Sequence, residues 1–360
     1  MLAISSMPRS ADVLPTITVI SPPVEGGVAD FSRIIAEAVG GRYLHYDPAA
    51  PEFSAAGLSR ASDGRRPVFL IQFSGYGYQK RGVPLAFLDW VRRLKRSGAM
   101  VGVYFHELYA TGPPWASSFW LSPAQRYIAA ELARVSDFWI TSWQGSADWL
   151  NGIADAKPHA VLPVFSNVGE ASGFLQPREP ALIVFGSAAL RRKAYDLTGD
   201  LLFEWAASQR LRLVDIGPGL EAAGEAARLT AKGVQILGRL DPEVVGRKLA
   251  TAKYGLVAYT IHKAAKSGVL AAYCAHGVAP IVVSTSYEPS DGLNANVQYL
   301  KWPPEAGLPH STSDSIGQNA LTWYRSHSIE AHREAIVALA AKATQSARDA
   351  GTGEPARRNQ

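Results

Sequence analysis

Apolar positions along this chain follow two rhythms that take turns. Continuous or β-branched apolar runs at 16–20, 67–73, 100–105, 138–142 and 160–164 read as buried strands. Between them, apolar residues recur with helical spacing, as in Phe31, Ile34, Ile35, Ala38 and Val39, and again over 85–97, 125–135 and 146–153. From 165 to 180 the pattern lapses into Ser, Asn, Gly, Gln and Pro. Alternation then resumes, with strands expected at 181–185, 212–216, 234–237, 255–258 and 280–283 and helices at 193–208, 220–231, 242–251 and from Ser267. Two further helices, one from Ser313 and one over 329–348, close the chain. Strands separated by helices of this length imply parallel sheets covered on both faces. The fold class is therefore α/β, with two Rossmann-like lobes and a cleft between them. The lapse at 165–180 divides them into 1–168 and 169–325, followed by a helix at 326–348 and a disordered tail at 349–360.

Composition narrows the picture without changing it. A chain of 360 residues exceeds the size at which one core stops growing, and 47% hydrophobic with 19% charged residues is a globular balance. No apolar run approaches the roughly 20 residues that span a bilayer, and the first fifteen residues lack a charged start leading into an apolar core, so a cytoplasmic location is expected. The single Cys274 cannot form an internal disulfide, and no Cys/His cluster has metal-site spacing. The net charge of +5 is gathered in Arg191-Arg192-Lys193, in Arg92, Arg93, Lys95 and Arg96, and in Lys263 with Lys266. Such clusters suit an anionic nucleotide or an acidic membrane surface. Nucleic acid is not expected as a partner, because no recognition motif accompanies the charge. A solvated helix face is enough to explain the run from 92 to 96.

Several local patterns carry candidate chemistry. Ser267 can cap a helix whose first turn, Gly268-Val269, lets an anion approach main-chain amides, while Lys266 stands just before it and Gly277 ends it ahead of Pro280. Gly26-Gly27 lies between the first strand and the first helix, where it forms either a second phosphate seat or a plain tight turn. After the strand ending at Phe185, the run Gly186-Ser187-Ala188-Ala189-Leu190-Arg191-Arg192-Lys193 carries three cations into a helix start; a diphosphate would balance them, and solvation is the alternative for Arg191 and Arg192. His106-Glu107 follows the strand ending at Phe105, at the edge where such sheets bind ligands. There His106 suits a sugar hydroxyl or a proton transfer, or packs as a satisfied core histidine, and Glu107 can anchor the loop. Tyr76 and Tyr78 in the Gly-rich loop 74–82, with Tyr109, Trp115, Phe119 and Trp120, offer a platform for a sugar or lipid acceptor, or fold back onto their own core.

Taken in order, Gly-Gly-Val-Ala-Asp-Phe-Ser (26–32), His-Glu-Leu-Tyr (106–109), the Phe-Ser-Asn linker (165–167), the loop 186–193 and Ala-His-Gly-Val-Ala-Pro (275–280) resemble the retaining glycosyltransferases of the GT-B fold, specifically family 4 and its group 1 relatives. The resemblance covers most of residues 16–345. It implies a C-terminal lobe that binds a nucleoside diphosphate sugar, an N-terminal lobe facing the acceptor, a last helix crossing back to the first lobe, and no metal or other cofactor. Carried over, Gly26 and Gly27 approach the donor phosphates, Lys193 and Arg192 neutralise the leaving diphosphate, Gly186, Ser187, Lys266, Ser267, Gly268 and Val269 complete the donor seat, and His106 touches the donor sugar. Tyr76, Tyr78 and Trp115 stand as acceptor candidates, and peripheral contact with the inner membrane face is a further expectation.

One departure stands out. The family's paired glutamates, eight positions apart, fall here on Ala264 and Ala272. Their loss leaves two readings open: a transferase acting in surface polysaccharide or glycolipid assembly, in which His262, Lys263 or Lys266 takes over the contact with the sugar, and a non-catalytic binding or scaffold subunit. A sugar-nucleotide epimerase of the same fold lacks its acidic residues here.

Overall fold

The computed structural model describes residues 16–54, 66–171, 177–220, 224–305 and 310–351. The chain divides into two compact units. One holds residues up to Ile140, Asp148–Ala160 and those from Arg333 onward; the other holds Thr141–Ala147 and Val161–His332. The sequence placed the border at 168/169 and the last helix at 326.

The first unit is built on a six-stranded sheet in the order β2-β1-β3-β4-β5-β6, from β1 (Ile17–Ser21), β2 (Arg42–His45), β3 (Val68–Phe73), β4 (Met100–Phe105), β5 (Phe138–Thr141) and β6 (His159–Val161). β1 pairs in parallel with β2 and β3, and β3 with β4. All residues of β1, β3 and β4 are buried, which requires helices on both faces and explains their unbroken apolar runs. Those helices include α1 (Gly27–Ala38), which buries Phe31 and Ile35, α2 (Leu85–Arg96) and α3 (Ser117–Val135). α4 (Gln144–Ala154) follows β5. Gly102 on β4 leaves room for its neighbour: a Cβ there would lie 2.2 Å from the Phe138 ring. Gly102→Ala should therefore overpack this core and lower the unfolding free energy by about 1–3 kcal/mol; a urea midpoint equal to that of the parent protein would contradict the packing described.

The second unit repeats the plan with β7 (Glu179–Phe185), β8 (Arg212–Ile216), β9 (Gln235–Ile236), β10 (Ala252–Ala258), β11 (Ala279–Val283) and β12 (Leu300–Lys301), in the order β12-β11-β10-β7-β8-β9. Its helices are α5 (Ala188–Thr198), α6 (Leu201–Ser208), α7 (Glu225–Ala231), α8 (Pro242–Thr251), α9 (Gly268–Ala275) and α10 (His310–Arg325). A 3-10 segment, Ile261–Lys266, leads into α9. The last helix, α11 (Ile329–Gly351), passes into the first unit at Arg333.

Several expectations change. The helix expected at 193–208 is two helices, because Gly199 at φ 56° breaks it. The helix expected from 125 begins at Ser117, so Phe119 and Trp120 belong to it. The short edge strands β2 and β12 have no apolar signature and are held by pairing with β1 and β11. The helix expected at 220–231 spans Glu225–Ala231, and 221–223 lie outside the described residues. Of the expected tail, 352–360 also lie outside them, while 349–351 belong to α11.

Candidate functional site

In an open parallel sheet, ligands bind beyond the carboxyl ends of strands at the point where strand order reverses. In the second unit that point lies between β7 and β10, which are neighbours in space but not in sequence. The chain leaves β7 through Gly186, at φ 128°, a backbone region that side chains rarely adopt; a Cβ there would lie 2.9 Å from Val269 Cγ2. The loop after β7 thus touches the first turn of α9. Ser187 caps α5 by accepting from the Leu190 N–H (3.4 Å), and Ser267 caps α9 by accepting from the Leu270 N–H (3.2 Å). A side chain added at Gly268 would meet nothing within 4 Å. By helix geometry the amides of Gly268 and Val269 point out of the end of α9 into that space, and the helix dipole favours an anion there.

Two side chains fix this geometry. The Tyr273 ring fills the place of a side chain at Gly255, where a Cβ would come within 2.6 Å of it, and burial raises its phenol pKa. Its hydroxyl accepts from the Phe185 N–H (3.1 Å) and lies within donating distance of the Ile183 (3.0 Å) and Leu256 (3.1 Å) carbonyls, bolting α9 to both strands at the switch point. Arg191 is 1% exposed and pairs with Asp215, which is fully buried and also accepts from the Tyr195 hydroxyl (3.0 Å). Burial holds the Asp215 carboxyl above its ordinary pKa, against the opposing pull of Arg191. The same guanidinium donates to Gly186 O (2.9 Å) and to Pro218 O, tying the loops that follow β7 and β8.

This corrects the reading of the three cations. Arg191 is neither solvated nor available to a ligand, and Arg192 is ion-paired with Glu225 (3.0 Å), so protein carboxylates already balance both charges. Arg192 keeps 42% of its side chain exposed, and its charge is shared with Glu225. Lys193 is exposed and has no ion-pair partner among the described residues. Lys266 is half-buried at the end of the 3-10 segment. Ala264 and Ala272, at the places of the family's glutamates, are both buried in apolar packing.

In the first unit the order reverses between β1 and β3. Gly26, at φ 133°, starts α1 without a side-chain cap, and a Cβ at Gly26 or Gly27 would meet nothing within 4 Å. His106 follows β4 and is buried; it stacks on Tyr104 and meets Phe31 edge-on, with Nε2 2.7 Å from Gln72 Oε1. It is thus a satisfied packing histidine at the ligand-binding edge. Glu107 accepts from Ser74 Oγ (3.2 Å), the anchoring role considered for it.

The tyrosine pair separates. The Tyr78 hydroxyl is directed at the carbonyls of Gln72 (3.1 Å) and Ile20 (3.4 Å), its ring stacks on Phe87 at 3.8 Å, and burial raises its pKa well above the ordinary value. Tyr78 is half-buried with its hydroxyl and ring turned inward, which corrects the acceptor role expected of it. Tyr76 is exposed and accepts from Gln125 Nε2 (3.1 Å); Trp115 is exposed as well. Gln125, which the sequence reading passed over, is buried and bonds Tyr76, the Arg81 carbonyl and the Ala110 N–H, stitching two loops to α3. Its signal was a polar residue on the apolar stripe with Ile128, Ala129 and Leu132.

A cavity of about 250 Å³ in the second unit is lined by Glu179, Arg212 and Lys248 at the amino ends of β7 and β8 and on α8, the edge opposite the switch-point loops. It takes no part in the candidate site.

No protein-family profile matches this chain, and no curated protein sequence matches it. Solved structures do. A glycosyltransferase from Rickettsia africae ESF-5 aligns with TM-score 0.59 at 10% identity, over 92% of this chain and 98% of that one. Trehalose-6-phosphate synthase OtsA aligns with TM-score 0.57 at 12% identity, over 91% and 99%. TarM aligns with TM-score 0.52 at 12% identity over 76% of this chain, which spans only 54% of TarM. The chain has the GT-B fold. Identities this low carry the architecture and leave the activity to be argued from the site.

Proposed function

We propose that this protein is a retaining glycosyltransferase of the family 4, group 1 kind, moving a sugar from a nucleoside diphosphate sugar to an acceptor hydroxyl in surface polysaccharide or glycolipid assembly. The observation that carries the reading is the contact of the Gly186 loop with the Ser267–Val269 turn at the switch point of the second sheet, with open space over Gly268. The donor diphosphate would lie on the α9 amides and take charge from Lys193, so that negative charge growing on the leaving group meets donors already in place. The acceptor hydroxyl would be the nucleophile, and alignment of the two substrates would supply much of the acceleration. Main-chain amides and a lysine do this work without a cofactor. His106, packed against Phe31 of α1, would offer the ring nitrogen not directed at Gln72 to a sugar hydroxyl. Trp115 and Tyr76 remain exposed for an acceptor.

A second reading, a binding or scaffold subunit that has lost turnover, is favoured by one feature: buried alanines at 264 and 272, where the family carries acids for the ribose and the sugar. Calorimetric titration and hydrolysis assays with UDP-, GDP-, ADP- and dTDP-sugars separate the two. For the transferase we expect one donor to bind and turn over. Gly268→Val should fill the seat and abolish binding at an unchanged melting temperature, and Lys193→Ala should weaken binding by about tenfold. Binding without hydrolysis or transfer would support the scaffold, and no binding of any donor would overturn the donor site itself.

A further inference from the structure

A parallel sheet buries both faces, so the side of a helix that lies against one is ordinarily apolar. On one face of the second sheet that expectation fails. Ala181 and Ile183 of β7 alternate to one side with Arg212 and Val214 of β8, and the register sets Ile183 beside Val214 and Val214 beside Gln235 of β9. The opposite face, through Leu182, Val184 and Leu213, fills the core of the unit. Helix α8 buries Val245, Gly246 and Leu249, whereas Val244, Arg247, Lys248 and Thr251, a separate stripe at helical spacing, line the cavity of about 250 Å³ that it shares with the sheet. Ala181, Ile183 and Val214 are buried and form its floor. An apolar floor thus faces a cationic wall, with a void between them.

The charges around this void do not cancel. Arg212 is paired with Glu179, the one carboxylate in the lining. Arg247 comes no nearer than 3.9 Å to Glu243, whose side chain is 90% exposed, and Lys248 has no ion-pair partner among the described residues. Three cations therefore face one carboxylate, and two positive charges are left over. A phosphate monoester carries close to two negative charges above its second pKa of about 6, whereas a carboxylate or a sulfate ester brings only one. Arg178, just ahead of β7, fixes the walls: it donates to the Leu249 (3.3 Å), Ala250 (3.0 Å) and Ala252 (3.2 Å) carbonyls at the end of α8, and to those of His276 and Gly277 (both 2.8 Å) at the end of α9. Walls already in place leave little ordering to be done on binding. A void of roughly 150 Å³ holds benzene, so this one has room for a phosphate on a compact carbon body.

We propose that this cavity binds a small phosphate monoester, its phosphate between Arg247 and Lys248 and its carbon body on the floor of Ala181, Ile183 and Val214. The cavity lies at the sheet edge opposite the Gly268 turn, so the proposal holds or fails without the glycosyl-transfer reading. The test is calorimetric titration of the full chain at pH 8 with three probes. Phenyl phosphate carries both the charge and the body, phenyl sulfate keeps the shape with one charge fewer, and inorganic phosphate keeps the charge without the body. The expected result is saturable binding of phenyl phosphate at one site, and at least tenfold weaker binding of each of the other two. R247Q/K248Q should lower the phenyl phosphate affinity by roughly tenfold or more and remove most of its salt dependence. Because both side chains are exposed, the melting temperature of that variant should match the parent. Gly268→Val, at the other edge, should leave phenyl phosphate binding as it is. Absence of saturable binding, or equal affinity for phenyl sulfate or inorganic phosphate, would overturn the proposal. Binding that survives in R247Q/K248Q and is lost in Gly268→Val would also overturn it, by moving the phosphate to the α9 turn.

Discussion

Arg191→Ala should lower the unfolding free energy by about 3–5 kcal/mol, because it strands the Asp215 carboxylate in a dry core. The guanidinium is 1% exposed and Asp215 is fully buried, so the carboxylate loses its charged partner away from bulk solvent. Two carbonyls, those of Gly186 and Pro218, lose a donor at the same time. Removing both charges in R191L/D215L should recover much of the loss, since the desolvation of two ions disappears with them. That double variant would still have untied the loops after β7 and β8, so its donor binding should stay weak while its stability returns. Urea unfolding of the three proteins, with nucleotide titration of the double variant, measures both effects. A loss below about 1 kcal/mol for Arg191→Ala would mean that the pair is solvated like a surface bridge.

The second large effect is acid sensitivity from two buried histidines. His327 lies against Trp323 and Tyr324, and neither ring nitrogen has a hydrogen-bond partner among the described residues. His332 lies edge-on to Phe165, with Nδ1 3.0 Å from the Ser328 carbonyl. Burial pushes their pKa values down to about 3 and about 4, from an ordinary 6.5. The unfolded chain therefore takes up protons below pH 6.5 that the folded chain refuses, and stability falls as the pH drops from 6.5 toward 4. At pH 5 each histidine has given up about 2 kcal/mol relative to pH 8, and the pair about 4 kcal/mol. Burial lowers the pKa of His276 too, which adds in the same direction, whereas the raised pKa of Asp215 works against it. His327→Leu should remove roughly half of the slope. Unfolding free energies that stay level between pH 8 and pH 5 would show that these rings are protonated in the fold.

Both effects come from residues whose importance the linear pattern does not display. Arg191 stands in a run of three cations, and nothing nearby distinguishes it from Arg192; its partner is 24 residues away on the next strand. Tyr273 reads as one more apolar residue of the Ser267 helix, yet its hydroxyl joins that helix to Phe185, 88 residues earlier. Tyr78 was legible only as one of several aromatics in a glycine-rich loop, and the stacking surface of Phe87 draws it inward. These assignments depend on what lies across a sheet or beneath a helix, and spacing along the chain does not contain that information.

By itself, the sequence determined the alternation of buried strands and amphipathic helices, most strand positions, the capping serine at 267, and the glycine turn that follows β1. Each of these is set by forces acting within a few residues: hydrophobic period, capping and the left-handed backbone that glycine permits. Tertiary structure alone decided the strand order that puts β7 beside β10, the edge strands β2 and β12, the paired state of Arg191 and Arg192, and the outward turn of the α3 aromatics. Those are set by which surfaces meet when the sheets assemble, and burial then determines which charges must be balanced and which faces are left uncovered.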